Sequence, residues 1–314
     1  MMNRNFHYLI SGKEAGNTIR EYLRQRGYSH HILTGLKRSP RGIRLNGERV
    51  PVSRILSAGD FLDICLEETD PSANVVPVPM ELSILYEDED LLVINKPADT
   101  PVHPSVNNRE NTLANGLAWY YKQQNLPFVC RFISRLDRDT SGLLLTAKNA
   151  LSASLLSAAL KQGQIEKTYL AIVQGQTDET GTISAPIARE AGSALKRRVD
   201  FEEGDPAVTH YQLLAYRPDP DISLLSLRLE TGRTHQIRVH MLYLGHPLIG
   251  DFLYNPGWEL IGRQALHAWK LKFYHPITGK LLEFQADPPK DMAGLFPAFN
   301  HTQELPHPRP LTPS

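Results

Sequence analysis

Between residues 134 and 142 the chain reads Ser-Arg-Leu-Asp-Arg-Asp-Thr-Ser-Gly and runs directly into the apolar segment Leu143-Leu144-Leu145-Thr146-Ala147. Two carboxylates, Asp137 and Asp139, and two guanidiniums, Arg135 and Arg138, thus share a polar loop that feeds a strand. Loops held at the ends of rigid strands are where catalytic side chains concentrate. The same residue types also suit a solvated turn, so the pattern alone leaves acid chemistry and turn formation both open.

Other chemistries find less support. The only cysteines are Cys65 and Cys130, too few for a disulfide framework or a cysteine-built zinc site. No two histidines stand at HxxxH spacing, and His235 and His240, five apart on an expected helix, diverge in direction. A hydrolase using Asp137 with His235 or His240 would want a second acid or a nucleophile elbow, and neither motif is present. No cofactor or metal is expected.

These residues need elements to position them. The chain has 314 residues, 41% hydrophobic and 22% charged, enough for about two domains with a real core. No run approaches the roughly 18 apolar residues of a membrane span, and the N-terminal apolar run is too short for a secretory signal. A cytoplasmic protein without membrane contact is expected. Formal net charge is zero but unevenly spread: +6 over residues 1–66, −8 over 67–90 and +2 over 91–314. The basic head is where a polyanion would dock.

Within the head, Ile19, Tyr22 and Leu23 fall on one face of a helix over 18–26, and Ile32, Leu33 and Leu36 mark a second helix. Asn46-Gly47 signals a hairpin within 42–52, followed by a strand over 61–66. Residues 67–80 are acidic and proline-rich and read as a linker. Strands are expected over 91–94, 143–147, 168–173 and 224–229, and helices over 152–161 and 234–244. In the last helix Thr234 is the expected N-cap, Ile237, Met241 and Leu244 the buried stripe, and Gly245 the stop. Residues 298–314, with four prolines, are expected to be disordered.

The 134–142 stretch resembles the signature of the RluA/RluD-type pseudouridine synthases, H-R-L-D-x-x-T-S/T-G, with Ser134 where that family commonly has His. Further blocks match in the same order: Ile94-Asn95-Lys96-Pro97, Val102-His103-Pro104, Glu166-Lys167-Thr168-Tyr169, residues 229–240 (LETGRTHQIRVH), residues 246–251 (HPLIGD), Leu266-His267-Ala268 and residues 275–279 (HPITG). The similarity spans about residues 81–290. The head, with its paired helices, LNG hairpin and AGD turn, resembles the αL RNA-binding domain of the ribosomal S-four type, though it departs from that pattern around Tyr28–Thr34.

The resemblance implies an α+β protein: a pseudouridine synthase fold over 81–297, with a mixed, mainly antiparallel central sheet and flanking helices, behind an αL head over 1–66. It implies an isomerase that breaks the bond between ribose and uracil nitrogen and rejoins the sugar to ring carbon five. Asp137 would be the carboxylate beside the sugar, by direct attack or by a glycal route. Tyr169 would assist loss of the carbon-five proton, and Arg238 would pair with Asp137 and keep it ionised. Arg135 would contact the extruded nucleotide or the space it leaves. Lys96, His103, Arg233, His235 and His267 would contact substrate, and Arg24, Lys37, Arg38 and Arg41 would hold RNA phosphates. The expected partner is structured RNA, ribosomal first and transfer RNA second, bound by a monomer. The competing reading is an RNA-binding or assembly factor of the same fold without catalysis.

Overall fold

The computed structural model describes residues 2–68, 75–106, 108–127, 129, 131–257 and 260–299. The chain divides into two compact units, one of Met1–Thr168 with Lys270–Ala286, the other of Tyr169–Trp269 with Asp287–Ser314.

The first unit begins with β1 (Met2–Leu9), α1 (Ile19–Gln25), α2 (His30–Arg38), β2 (Ile43–Leu45), β3 (Glu48–Arg49) and β4 (Phe61–Glu68), the strands ordered β1-β4-β2-β3. Thr18 starts α1 with a reciprocal capping box to Glu21, and Ser29 caps α2. Asn46 and Gly47 both adopt positive φ (53° and 85°), the geometry of a two-residue hairpin turn. The apolar faces expected of both helices are buried against Ile43, Leu45, Leu62 and Ile64.

The rest of this unit holds β5 (Ser83–Glu87), β6 (Leu91–Lys96), α3 (Leu113–Gln123), β7 (Ser141–Ala147) and α4 (Ala150–Lys161). Strands β5, β6 and β7 pair antiparallel. Alternation along them divides two cores. Leu92, Ile94 and Leu144 pack with Leu113, Leu117 and Tyr121 of α3, while Leu91, Val93, Leu143 and Leu145 pack with Leu156 of α4. Each such side chain contributes about 1.5–3 kcal/mol by leaving water.

Residues 1–66 pack within the compact unit that runs on to residue 168. Leu151 belongs to the same apolar cluster as the helices of the head, and Leu155 and Ile277 pack against it. At Gly27 (φ +86°) a Cβ would fall 2.4 Å from Leu155 Cδ2, so only glycine allows α4 this close. Arg4 forks onto Asp90 (2.9 Å twice), and Glu68 meets Arg131 at 2.8 Å. Within the expected linker, Glu67 and Glu68 continue β4, residues 69–74 lie outside the described residues, and 75–80 are tied to α3. There Asn115 donates to the carbonyl of Val76 (2.7 Å), and its own carbonyl accepts from Val78 N–H (3.2 Å).

The second unit contains most of β8 (Glu166–Gln174), then β9 (Thr180–Ser184), β10 (Ile187–Arg189), β11 (Arg197–Val199), β12 (Val208–Arg217), β13 (Ile222–Leu229) and α5 (Gln236–Tyr243). Its strands run in the order β8-β13-β12-β9, with β10 and β11 as a separate pair. Leu170, Ile172, Ile222, Leu224, Ile249 and Trp269 form its core. The chain continues through β14 (Leu266–Tyr274), whose end pairs antiparallel with β15 (Leu281–Gln285) in the first unit, and α6 (Lys290–Ala293). The architecture is α+β. No helix among the described residues is long and apolar enough to cross a membrane. The expected disordered tail falls, from residue 300 onward, outside the described residues.

Helix α5 departs from expectation at both ends. Its N-cap is His235, in left-handed conformation (φ 58°) and without a side-chain cap, rather than Thr234. The Gln236 side chain replaces the missing cap by accepting from Arg233 N–H (3.0 Å) and the Thr231 hydroxyl (2.8 Å). At the other end Leu244 is 37% exposed, so the buried surface is the first turn and a half, Gln236 to Met241.

Candidate active site

Asp137 lies in the loop that enters β7, within the first unit, and its side chain is half-buried. The loop is fastened on both flanks. Ile133 N–H bonds to Leu145 O and Ala147 N–H to Arg131 O (both 2.9 Å), and Thr140 N–H closes a turn on the Asp137 carbonyl (3.2 Å). Arg138 forks onto Asp139 at 3.0 and 3.1 Å, so these two neighbours satisfy each other.

Lys96, expected to contact substrate, is instead fully buried at the end of β6. Its ammonium donates to the carbonyls of Pro97, Thr100 and Arg138, each at 2.8 Å. A buried charge is tolerable only when so satisfied. The cation therefore ties the 97–100 loop to the residue that follows Asp137, which makes Lys96 a support of the loop.

Arg135 is exposed and makes no hydrogen bond or ion pair among the described residues. His103 packs edge-on to Phe132, ring centroids 5.0 Å apart. Burial, aided by the charge of Arg135, pushes the His103 pKa down and keeps its ring neutral.

In the second unit Tyr169 is buried on β8, 5% exposed. Arg238 is buried on α5, and its guanidinium forks onto Asp251, Nε to Oδ2 at 2.6 Å and Nη2 to Oδ1 at 2.8 Å. Tyr254 lies against the guanidinium face, 5.0 Å to the ring centroid. Asp251 was not among the expected site residues. The signal for it was available, since an arginine buried on a helix needs a buried carboxylate, and Asp251 ends one of the matched blocks.

The remaining candidates separate. His235 Nδ1 lies 2.9 Å from the Tyr254 hydroxyl. Arg233 is exposed and tied by Nε to Pro206 O (3.1 Å). His267 is buried on β14, 1% exposed. His240 donates from Nε2 to Ala185 O and accepts at Nδ1 from the Thr209 hydroxyl, both 2.8 Å. Burial pushes its pKa down, so it is a neutral core histidine rather than a base. In the head, Arg24, Lys37 and Arg38 are exposed, while Arg41 is paired with Glu67 at 2.7 Å.

Asp88, Asp90 and His275 bring ligand-type atoms within 4.8 Å of one another. Their hydrogen bonds explain them without an ion. His275 Nε2 donates to Asp88 (2.8 Å), its Nδ1 accepts from Ile277 and Thr278 N–H, and Asp90 takes the Arg4 fork together with Asn149. The HPITG block thus closes a loop of the fold.

Residues 90–243 match the family model described as RNA pseudouridylate synthase. The RNA pseudouridine synthase YjbO of Bacillus subtilis is 41% identical, the alignment covering 90% of this chain and 100% of that one. Ribosomal large subunit pseudouridine synthase D of Zymomonas mobilis is 42% identical over 79% of this chain and 81% of its own. Among solved structures, human RNA pseudouridylate synthase domain containing 1 superposes with a TM-score of 0.56 at 30% identity, covering 66% of this chain and 83% of its own.

Proposed function

The chain belongs to the RNA pseudouridylate synthase family, and from that premise we propose that it converts a uridine of large-subunit ribosomal RNA to pseudouridine with Asp137 as the catalytic carboxylate. It acts as a cytoplasmic monomer; a transfer-RNA uridine is the next candidate substrate. The ribosomal assignment follows the relatives named ribosomal large subunit pseudouridine synthase D.

Breaking the N1–C1′ bond builds positive charge on the sugar and negative charge on the leaving uracil. Asp137 meets the first, either by bonding to C1′ or by removing a sugar proton. The freed ring turns and C5 bonds to C1′ as the Asp137–C1′ bond breaks or, on the other route, as the sugar proton returns from Asp137; the C5 proton then departs with the Tyr169 hydroxyl as its acceptor or relay, and N1 takes up a proton. Arg238 contributes a guanidinium charge to the reaction. No oxidation state changes, and no water enters, so one carboxylate suffices where a hydrolase needs two.

The observation that carries this reading is the Lys96 clamp, which fixes the backbone beside Asp137 while the adjoining Arg135 stays exposed. A stacked uridine must leave its helix to reach such a loop, and an exposed guanidinium two residues away suits the vacated space. The head contributes phosphate contacts through Arg24, Lys37 and Arg38.

The test uses RNA tritiated at uracil carbon five. The wild type should release tritium with RNA length unchanged, and Asp137→Asn should not while still binding. Equal release by both would refute Asp137 as the catalytic group. Binding without release by the wild type would favour an assembly factor.

A further inference from the structure

The four-stranded sheet of the head carries its helices on one side only. Ile43, Leu45, Leu62 and Ile64 face α1 and α2 and share their core. Strand alternation turns the intervening residues to the other side. The register sets Leu9 opposite Phe61, His7 opposite Asp63, and Arg44 of β2 between Asp63 and Arg49. Among the described residues this side is open: Leu9 is 62% and Phe61 59% exposed, and Arg44 and Arg49 are exposed as well.

The acids of that face are occupied. Asp63 accepts from His7 Nδ1 (2.6 Å), and Glu67 accepts from the Ser39 hydroxyl and from Arg41 (both 2.7 Å). Its two arginines meet no carboxylate among the described residues. Arg44 makes no hydrogen bond or ion pair there, and Arg49 gives Nη2 to the Lys37 carbonyl (3.1 Å). Like charges directly opposite on one sheet face repel, and a phosphate between them would turn repulsion into attraction. Phe61 is firmly placed: its N–H donates to Asn46 Oδ1 and its carbonyl accepts Asn46 N–H, both at 2.8 Å. An exposed ring on main chain held this way loses little freedom when a flat group settles on it.

We propose that this open face binds a single-stranded stretch of the RNA, a base stacking on Phe61 and adjoining phosphates lying on Arg44 and Arg49. Duplex RNA hides the faces of its bases, so a fixed exposed ring serves an unpaired nucleotide. The surface continues the one assigned to phosphates above, since Lys37, whose carbonyl holds Arg49, lies in the last turn of α2. The proposal rests on the reading of this chain as acting on RNA and is independent of the role given to Asp137.

The full-length protein is titrated with a labelled oligouridylate of about ten nucleotides and, separately, with an RNA duplex of similar length. Phe61→Leu keeps an apolar side chain and removes the aromatic ring. Its affinity for the single strand should fall about tenfold, with duplex affinity within about twofold of wild type and the melting temperature unchanged. Phe61→Trp should bind the single strand at least as tightly as wild type. Arg44→Gln should lower the single-strand slope of log affinity against log salt by about 0.7, and it serves alone if Phe61→Leu does not fold.

Single-strand affinity unchanged in Phe61→Leu, or an equal loss for the duplex, would overturn the proposal. So would a wild type that self-associates in sedimentation and becomes monomeric in Phe61→Leu at unaltered RNA affinity, because a second copy would then cover the face. Failure of the proposed catalysis shows elsewhere, as tritium release absent from the wild type or surviving in Asp137→Asn, and would leave these titrations as they are.

Discussion

The ammonium of Lys96 donates to the backbone carbonyl of Arg138, the residue immediately after Asp137, at 2.8 Å. A buried cation thus fixes main chain at the catalytic loop while its own side chain stays away from solvent.

Replacing that cation exposes its importance. Lys96→Met would strand three carbonyls in a dry site and cost about 2–4 kcal/mol of stability, read as a lower urea midpoint. Tritium release per folded molecule should also fall, because the loop on both sides of Arg138 loses its tie. A stable variant with normal turnover would show that the clamp is dispensable.

Arg135 should behave in the opposite way. It is exposed and makes no ion pair among the described residues, so Arg135→Ala should shift stability by less than about 0.5 kcal/mol. Its single-turnover rate on folded RNA should drop by about tenfold or more. The same variant should lose less on a short RNA whose uridine is already unpaired, since less unstacking is required.

Neutralising Arg24, Lys37 and Arg38 together tests the head. Removing each cation that neutralises a phosphate should lower the slope of log affinity against log salt by about 0.7–0.9. Arg41, paired with Glu67, should contribute less when replaced singly. An unchanged slope in the triple variant would place RNA docking elsewhere.

Acid should weaken the first unit through Glu87. Burial alone would raise its carboxyl, but hydrogen bonds from Lys148, Tyr120 and Tyr121 outweigh burial and hold its pKa below the usual value. A depressed carboxyl contributes stability above its unfolded pKa of about 4.3, and that contribution is lost as pH falls through the folded value. Glu87→Gln should therefore be less stable than wild type at neutral pH, and the gap should close at low pH. Urea midpoints measured from pH 7 down to pH 3 would show it.

Much of this structure was legible where local chemistry dominates. The Asn46-Gly47 turn and the apolar runs of β6 and β7 each announce themselves, because turn conformation and two-sided burial are written in few residues. Strands β12 and β14 escaped notice: their polar positions, such as Gln212 and Lys270, interrupt any clean alternation. The start of α5 was misplaced because the Gln236 amide, not a Thr234 hydroxyl, satisfies the turn. Asp137, Tyr169 and Arg238 were named through ordered motifs. Asp251 and the true setting of Lys96 depend on contacts between distant segments, which no local window reports.

The apolar cluster shared by the N-terminal helices and α4 makes those first residues a lid over Leu151 and Leu155. Trimming them away would lay bare a greasy stripe and yield aggregation, a result easily mistaken for lost RNA affinity. By the same reasoning, any shorter cousin built without such a cover must carry hydrophilic side chains at those two places.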